Sequence, residues 1–272
     1  MADAPDREAL MNKLLLAATA LIGFAAINAA GAADMALKAP PPAPVIDEWT
    51  GPYIGLNLGG SWGRSRTSYS DPDPAFVPFT TSQNMNGVLG GAQIGYNVQI
   101  ARQWLLGLEA DFQGTGQRGS ATFPPITEII AGAAVVVVTT TGTLTQKMPW
   151  FGTVRGRLGV EPSEHWLLYV TGGLAYAQIR STAAISATAA APGGTATVAM
   201  SSTVNNDRAG YTAGFGAEWM FAKQWSAKVE YLYMDYGHIN DGFLGVGTLA
   251  VLGINSHVTD NVVRAGVNLH FH

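Results

Sequence analysis

Four tryptophans recur along the chain at near-even spacing, and each stands at the head of a segment in which apolar and polar residues alternate. They are Trp49, Trp104, Trp166 and Trp225, which lie 55, 62 and 59 residues apart. A unit of about sixty residues can hold a rising strand, a long loop, a falling strand and a short turn, and four units give eight strands. The repeat therefore predicts an all-β chain that forms an eight-stranded antiparallel up-and-down transmembrane β-barrel.

Hydrophobic residues are numerous but dispersed. They make up 47% of the chain, whereas charged residues make up only 12%. Past the amino terminus the longest apolar run, Ala131 to Val138, is far shorter than the roughly 18 residues that a membrane-spanning helix needs. Apolar residues spread by alternation favour strands that face lipid on one side over a soluble enzyme.

The charge and the lack of cysteine exclude several kinds of site. The net charge of −4 is mild, and no basic patch carries interleaved aromatic residues, so nucleic-acid binding has no support. A chain without cysteine has no disulfides and no thiolate metal sites. We therefore expect no nucleic-acid partner and no cofactor.

The amino terminus predicts export. Leu14 to Ile27 is almost wholly apolar, and it is followed by small residues that end in Ala30-Gly31-Ala32, the pattern of a cleavage site. We therefore expect a signal peptide over residues 1–32, with Met11 as an alternative translation start. A proline-rich periplasmic lead is expected over residues 33–48, because prolines prefer an extended, unpaired backbone. The β-barrel is expected over residues 49–272.

The alternation places eight strands separated by connections of two kinds. Connections one, three, five and seven are long, and connections two, four and six are only a few residues, so we expect long extracellular loops and short periplasmic turns. The β-branched run Val135 to Val138 is expected to extend one hairpin beyond the membrane, and residues 181–206 are expected to form a loop. The expected strands are 51–63, 86–100, 103–114, 146–160, 165–180, 208–221, 224–236 and 257–271.

Aromatic residues are expected at both membrane interfaces, where amphipathic rings prefer to lie. Three of the tryptophans follow short turns and therefore form the predicted periplasmic aromatic girdle: Trp104, Trp166 and Trp225. The predicted outer-interface aromatics are Trp150, Tyr231 and Tyr233.

Several segments resemble the alphaproteobacterial small outer-membrane β-barrel family, which is related to the opacity and RopB-type proteins and is called porin-like. The resemblance covers nearly all of Trp49 to Phe271 outside the loops, and it implies an eight-stranded barrel of the outer membrane of a Gram-negative bacterium, with no catalytic residues. It also implies two partners: outer-membrane lipid, and the barrel assembly machinery, which is thought to read a terminal phenylalanine. Here Phe271 is followed by His272, a departure from that pattern. The segments are Trp49–Gly55, Gly107–Asp111, Gly152–Gly159, Leu168–Tyr176 and Ala227–Tyr233.

Strand parity directs four acids and four bases into the barrel and leaves the lipid-facing side almost without charge. A charge on that side near mid-membrane costs roughly 2–4 kcal/mol. An eight-stranded barrel is only wide enough for its own side chains, so buried charges inside it should be paired. The register predicts that Glu218 faces Lys228. Glu230 with Arg264, and Glu109 with Arg155 or Arg157, are candidate pairs on adjacent strands. The predicted lumen ion network comprises Glu109, Asp111, Arg155, Arg157, Glu218, Lys228, Glu230 and Arg264.

Three functions fit these features. The leading hypothesis is a structural or surface barrel that contributes to envelope integrity, with its lumen filled by the ion network. The alternatives are a small porin-like channel, in which the same charges line a pore, and adhesion or recognition through the extracellular loops.

We expect no enzymatic activity, no catalytic residues and no metal site. Asp235 and His238 lie near the top of strand seven, but such a pair arises easily by chance, and no Gly-x-Ser-x-Gly motif is present. His270 and His272 share one face of a strand without an evident third ligand, and we expect them to be interface or terminal histidines. The segment Gly114–Gly119 matches a dinucleotide fingerprint literally, but no helix follows it, so we expect loop glycines.

Overall fold

The computed structural model describes residues 49–70, 79–132, 134–244 and 251–271. The predicted signal peptide, the proline-rich lead and His272 lie outside the described residues. Within them the chain forms nine β-strands and no helix that is long and apolar enough to cross a membrane. The strands are β1 (Gly51–Ser70), β2 (Phe79–Ala101), β3 (Trp104–Thr122), β4 (Ile126–Ala131), β5 (Val135–Ser163), β6 (Trp166–Ala191), β7 (Gly194–Ala222), β8 (Trp225–Leu244) and β9 (Val251–His270).

Eight of these strands close into a barrel. Consecutive strands pair antiparallel, β1 also pairs with β9, and β3 pairs with β5, which completes the ring. The short strand β4 pairs only with β5 and lies outside the ring. The predicted count of eight barrel strands and the antiparallel up-and-down order are confirmed.

Side-chain exposure alternates along the strands as the sequence pattern predicts. On β1, Leu56 and Leu58 are about 70% exposed on the outside, while Tyr53 is fully buried on the inside. The two faces differ because successive residues of a strand point to opposite sides of the sheet. Around the middle of the barrel the outer surface is therefore apolar and the charged side chains point inward, whereas nearer the open end charged residues such as Arg64 and Arg118 are exposed.

The two ends of the barrel differ. Short turns at Arg102-Gln103, Glu164-His165 and Lys223-Gln224 join the strands at one end, as predicted. We call this the turn end and the opposite end the open end. At the open end the expected long loops are largely strand. Residues 181–206, which we expected to form a loop, continue β6 and β7 up to a tight turn at Pro192-Gly193, so that prediction was wrong.

The reason is that pairing at the open end depends on cross-strand hydrogen bonds rather than on an apolar face. Thr182 bonds to Thr203 at 3.0 Å and Thr188 to Thr197 at 3.1 Å. Such threonine pairs stabilise paired strands whose sequence shows no apolar alternation. The predicted extension at Val135 to Val138 is confirmed, because β4 and β5 form a hairpin there. Residues Gly114–Gly119 lie within β3, around a bulge, and not in a loop.

The ring does not stay closed to the top of the open end. Pairing between β7 and β8 stops at Tyr211 and Asp235, and pairing between β2 and β3 stops at Asn86 and Arg118. Beyond these points the described strands form two separate sheets. One contains β3, β4, β5, β6 and β7, and the other contains β2, β1, β9 and β8.

Candidate functional site: the charged lumen

The eight predicted lumen charges come from five strands that surround the middle of the barrel. Each ionised side chain is fully buried, and each forms an ion pair of 4.0 Å or less with another member. Their positions follow from strand parity, since each occupies the same face as the buried residues two positions away. By strand they are Glu109 and Asp111 on β3, Arg155 and Arg157 on β5, Glu218 on β7, Lys228 and Glu230 on β8, and Arg264 on β9.

Glu109 lies at the centre of the network, because it contacts all four bases. Its carboxylate pairs with the guanidinium of Arg155, accepts from Lys228 Nζ at 3.0 Å, and lies 3.4 Å from Arg157 Nη1 and 3.5 Å from Arg264 Nη2. The hydroxyl of Tyr53 also donates to Glu109 Oε2 at 2.7 Å. One carboxylate therefore shares its negative charge among four cations and one neutral donor.

Two arginines join the remaining acids of the network. Arg155 donates to Glu230 at 2.9 Å and to Asp111 at 3.1 Å. Arg264 donates from Nε to Glu230 at 2.8 Å and from Nη2 to Asp111 at 2.9 Å. Short hydrogen bonds between ionised groups are the stronger kind, and a planar guanidinium is suited to contacting two carboxylates at once.

The register places Glu218 directly opposite Lys228, yet their charges pair elsewhere. Glu218 Oε2 accepts from Arg157 Nη2 at 2.8 Å, and Lys228 reaches across the lumen to Glu109. Glu230 and Arg264, in contrast, are direct cross-strand partners and form an ion pair with each other. A long side chain in a narrow lumen contacts several strands, so register fixes the Cβ positions but not the final partners.

The network also contains residues that the sequence analysis did not assign to it. Arg157 lies over the ring of Tyr169, with its guanidinium carbon 3.9 Å from the ring centroid, and it donates to the hydroxyl of Tyr53. His270 is buried, with Nε2 2.9 Å from Ser226 Oγ and 3.4 Å from Glu218, although we expected an interface or terminal histidine there. His270 and Arg264 lie on the same face of β9, so strand parity could have placed His270 inside the barrel.

Two apolar layers enclose the charged layer along the barrel axis. Toward the turn end, buried Trp49 and its neighbours form one cluster, and toward the open end a larger cluster lies among buried polar side chains such as Gln117 and Gln146. Asp260 lies inside the barrel toward the open end, where its Oδ2 accepts a hydrogen bond from Gln117 at 2.8 Å. The upper cluster consists of Met85, Leu89, Met148, Phe151, Ala175, Ala177, Ile179, Leu232, Met234, Tyr236, Val258 and Val262.

The tryptophans of the repeat do not all have the same environment. Trp104, Trp166 and Trp225, the predicted girdle, point outward at the turn end and are 44–49% exposed. Trp49 is instead buried, where it donates to the carbonyl of Glu164 at 3.2 Å and contacts the ring of His270 edge-on. Trp49 lies before the first strand, whereas the other three tryptophans each follow a turn between two strands. Its ring therefore lies inside the end of the lumen and does not face outward.

The structure pairs Asp235 with His257, the stacking partner of His238. Asp235 is bonded to His257 Nε2 at 3.0 Å, while His238 stacks on His257 and bonds to Asn255. Across the described ranges, no group of three or more histidine, cysteine, aspartate or glutamate residues is arranged to hold a metal ion.

Comparison with known proteins agrees with this architecture. The family model described as "Outer membrane protein beta-barrel domain" matches residues 17–271. The chain belongs to this family. It is 33% identical over 270 residues to the 31 kDa outer-membrane immunogenic protein of Brucella melitensis, across 96% of this chain and all of the relative. It is 26% identical over 266 residues to the 25 kDa outer-membrane immunogenic protein of Brucella abortus, across 96% of this chain and 99% of the relative.

Membership of the family places the protein in the outer membrane of a Gram-negative bacterium. Short turns are periplasmic in such barrels, so the turn end is periplasmic and the open end is extracellular. Among solved structures, OprG from Pseudomonas aeruginosa aligns with 82% of this chain and 97% of its own, at 10% identity and a TM-score of 0.42.

Proposed function

We propose that this protein is a structural outer-membrane barrel that contributes to envelope integrity and does not conduct solutes. The observation that carries the proposal is the charged layer: eight ionised side chains cross the middle of the lumen, and none is exposed. A pore would need hydrated charges, whereas these charges bind one another. The apolar clusters above and below leave the interior filled by side chains, as expected in a barrel of eight strands.

Single-channel recording in planar bilayers tests this proposal. We expect no reproducible discrete openings from purified, heat-modifiable barrels. As a positive control, the double substitution Glu109→Ser and Arg155→Ser removes a matched acid and base from the charged layer and should produce small openings. Regular openings of the unmodified protein would overturn the proposal.

A role in integrity requires a test in cells. A strain that lacks the protein should become more sensitive to detergent and to large antibiotics, and the unmodified gene should restore resistance. Complementation by a variant that keeps the barrel but carries both serine substitutions should be incomplete, because its lumen would leak. Equal resistance of all these strains would contradict an integrity role.

A second candidate, limited solute or water passage, is favoured by a different observation. Both side-chain polar atoms of Asn97 and of Gln113 are buried without a hydrogen-bond partner on the protein. Buried amides of this kind are usually satisfied by ordered water. A vesicle-swelling assay, run beside the planar-bilayer recordings, tests this candidate. Swelling of vesicles that contain the barrel, without discrete openings in the bilayer, would indicate passage of water or small neutral solutes.

Further parts of the proposal concern partners and processing. We propose that outer-membrane lipid covers the outer face, that the assembly machinery binds the carboxyl-terminal strand, and that no enzymatic reaction occurs. Phe271 is 45% exposed, and its backbone N–H donates to the carbonyl of Pro52 at 2.9 Å, so the end of the carboxyl-terminal strand lies beside β1. The signal peptide and the proline-rich lead remain proposals. Failure of a Phe271→Ala variant to reach the outer membrane would support binding of the assembly machinery to this strand.

A further inference from the structure

The extracellular part of β7 is an unpaired strand edge. From Gly194 to Asn205 this strand pairs with β6 on one side, and its pairing with β8 begins only at Tyr211. Residues 194–203 are all exposed. On the side away from β6, alternate backbone N–H and C=O groups of this edge therefore lack a strand partner among the described residues.

This edge lacks the features with which proteins usually protect a free strand. Charged residues, proline, bulges and short length prevent edge-to-edge pairing. Residues 194–205 contain no charge and no proline, and they pair with β6 without a bulge. At a rise of about 3.3 Å per residue, the free edge from Gly194 to Asn205 is roughly 40 Å long.

Two other free segments at the extracellular end are better protected. The edge formed by β3 and β4 is interrupted by Pro124-Pro125, and β4 carries Glu128. Above Asp235, β8 contains a bulge and the charge of Asp241. The free edge of β2 above Asn86 is also uncharged, but it spans only seven residues, Phe79–Met85. The β7 edge is therefore the longest uncharged free edge among the described strands, and the one best suited to accept another strand.

We propose that the β7 edge pairs antiparallel with the β7 edge of a second copy of this chain in a facing membrane, so that the barrel mediates homotypic contact between cells. An uncharged segment can lie against itself without like-charge repulsion. A two-fold axis at Ala199 would place each residue opposite one on the same face of the partner strand, with apolar opposite apolar and hydroxyl opposite hydroxyl in most pairs. The resulting cross-strand pairs are Val198 with Met200, Thr197 with Ser201, and Thr195 with Thr203.

Orientation selects a facing membrane. In one membrane every copy of β7 runs in the same direction, from the extracellular turn toward the periplasm, so two copies there could pair only in parallel. Antiparallel pairing, which is slightly more stable per residue, requires the second barrel to be inverted. The β6–β7 hairpin extends beyond the last β7–β8 pair, so its edge is free to meet a partner from outside. This proposal does not depend on whether the lumen is closed.

Purified barrels, each inserted singly in a lipid nanodisc, test the proposal by mass photometry. We expect concentration-dependent pairs of discs. The Ala199→Lys and Ala199→Asp variants should each self-associate about fivefold more weakly or worse, because like charges then lie directly opposite. Mixing the two variants should restore pairing, whereas Ala199→Ser, the matched control, should pair like the unmodified protein.

Cysteine cross-linking tests the register, since the chain has no cysteine. Ala199→Cys should form a disulfide between discs, because residues on the axis bring their Cα atoms within disulfide range. Thr195→Cys alone should not cross-link, but it should do so when mixed with Thr203→Cys. No association of the unmodified barrel, association only between copies within one membrane, or failure of the Lys and Asp variants to rescue each other would overturn the proposal.

Discussion

Glu109 is the most informative residue to perturb, because its one carboxylate contacts all four lumen bases. The substitution Glu109→Gln keeps the size and shape of the side chain while removing its charge. Lys228 Nζ would then lose its 3.0 Å partner, and Arg157 and Arg264 would lose contacts at 3.4 and 3.5 Å. The predicted network would change from four acids and four bases to three acids and four bases.

The magnitude follows from the burial of these groups. A unit pair 3 Å apart attracts by about 5 kcal/mol at an effective dielectric constant of 20, before desolvation is considered. Removing one partner of a buried pair typically costs about 3–5 kcal/mol, because the other charge remains buried without compensation. We therefore expect the free energy of unfolding to fall by about 3–5 kcal/mol for Glu109→Gln.

Equilibrium urea unfolding in lipid vesicles, followed by tryptophan fluorescence, measures the loss. Adding Lys228→Met to Glu109→Gln restores equal numbers of acids and bases and should recover much of the stability. Glu164→Gln in the exposed periplasmic turn is the control and should change stability by less than about 0.5 kcal/mol. A loss below about 1 kcal/mol for Glu109→Gln, or no recovery in the double variant, would refute the reasoning.

Three further predictions concern other parts of the barrel. Val229→Lys places a charge on the outer side of β8, where Val229 is 57% exposed beside the charged layer. It should lower the unfolding free energy by about 2–4 kcal/mol, whereas Val229→Leu should not. Trp49→Ala should cost about 3–5 kcal/mol in the same unfolding assay, because it empties a buried site beside His270, and a cost like that of the exposed Trp225→Ala would contradict the buried position. Deleting residues 184–201 and joining the hairpin with a short turn should leave the heat-dependent gel shift of the barrel intact, and loss of that shift would show that the extension is needed for folding.

The sequence was sufficient for the barrel because alternation fixes which face each residue occupies. Leu56 and Tyr53 occupy positions of opposite parity on one strand, and Leu56 is exposed whereas Tyr53 is buried. Glu230 and Arg264 face each other on neighbouring strands and form an ion pair. Short turns were equally predictable, since polar residues before Trp104, Trp166 and Trp225 interrupt the alternation.

Other features were beyond the pattern for physical reasons. The pairing of Glu218 with Arg157 depends on side-chain conformations that cross the lumen. Between Ala184 and Thr203 no residue of the β6–β7 extension is buried, so its sequence shows no alternation even though its backbone is paired. Trp49 shares the repeat spacing of the girdle tryptophans, but spacing alone does not distinguish a residue that precedes β1 from one that follows a turn.

The most direct measurement of the central claim is the nitrogen-15 magnetic resonance signal of the lysine side chains in the folded barrel. A fully buried ammonium group that is paired with Glu109 at 3.0 Å should exchange its protons with water slowly enough to be observed at neutral pH. We expect a protected signal that disappears in the Lys228→Met variant, while the exposed Lys223 gives none. Rapid exchange at every lysine would contradict a closed lumen filled by paired charges.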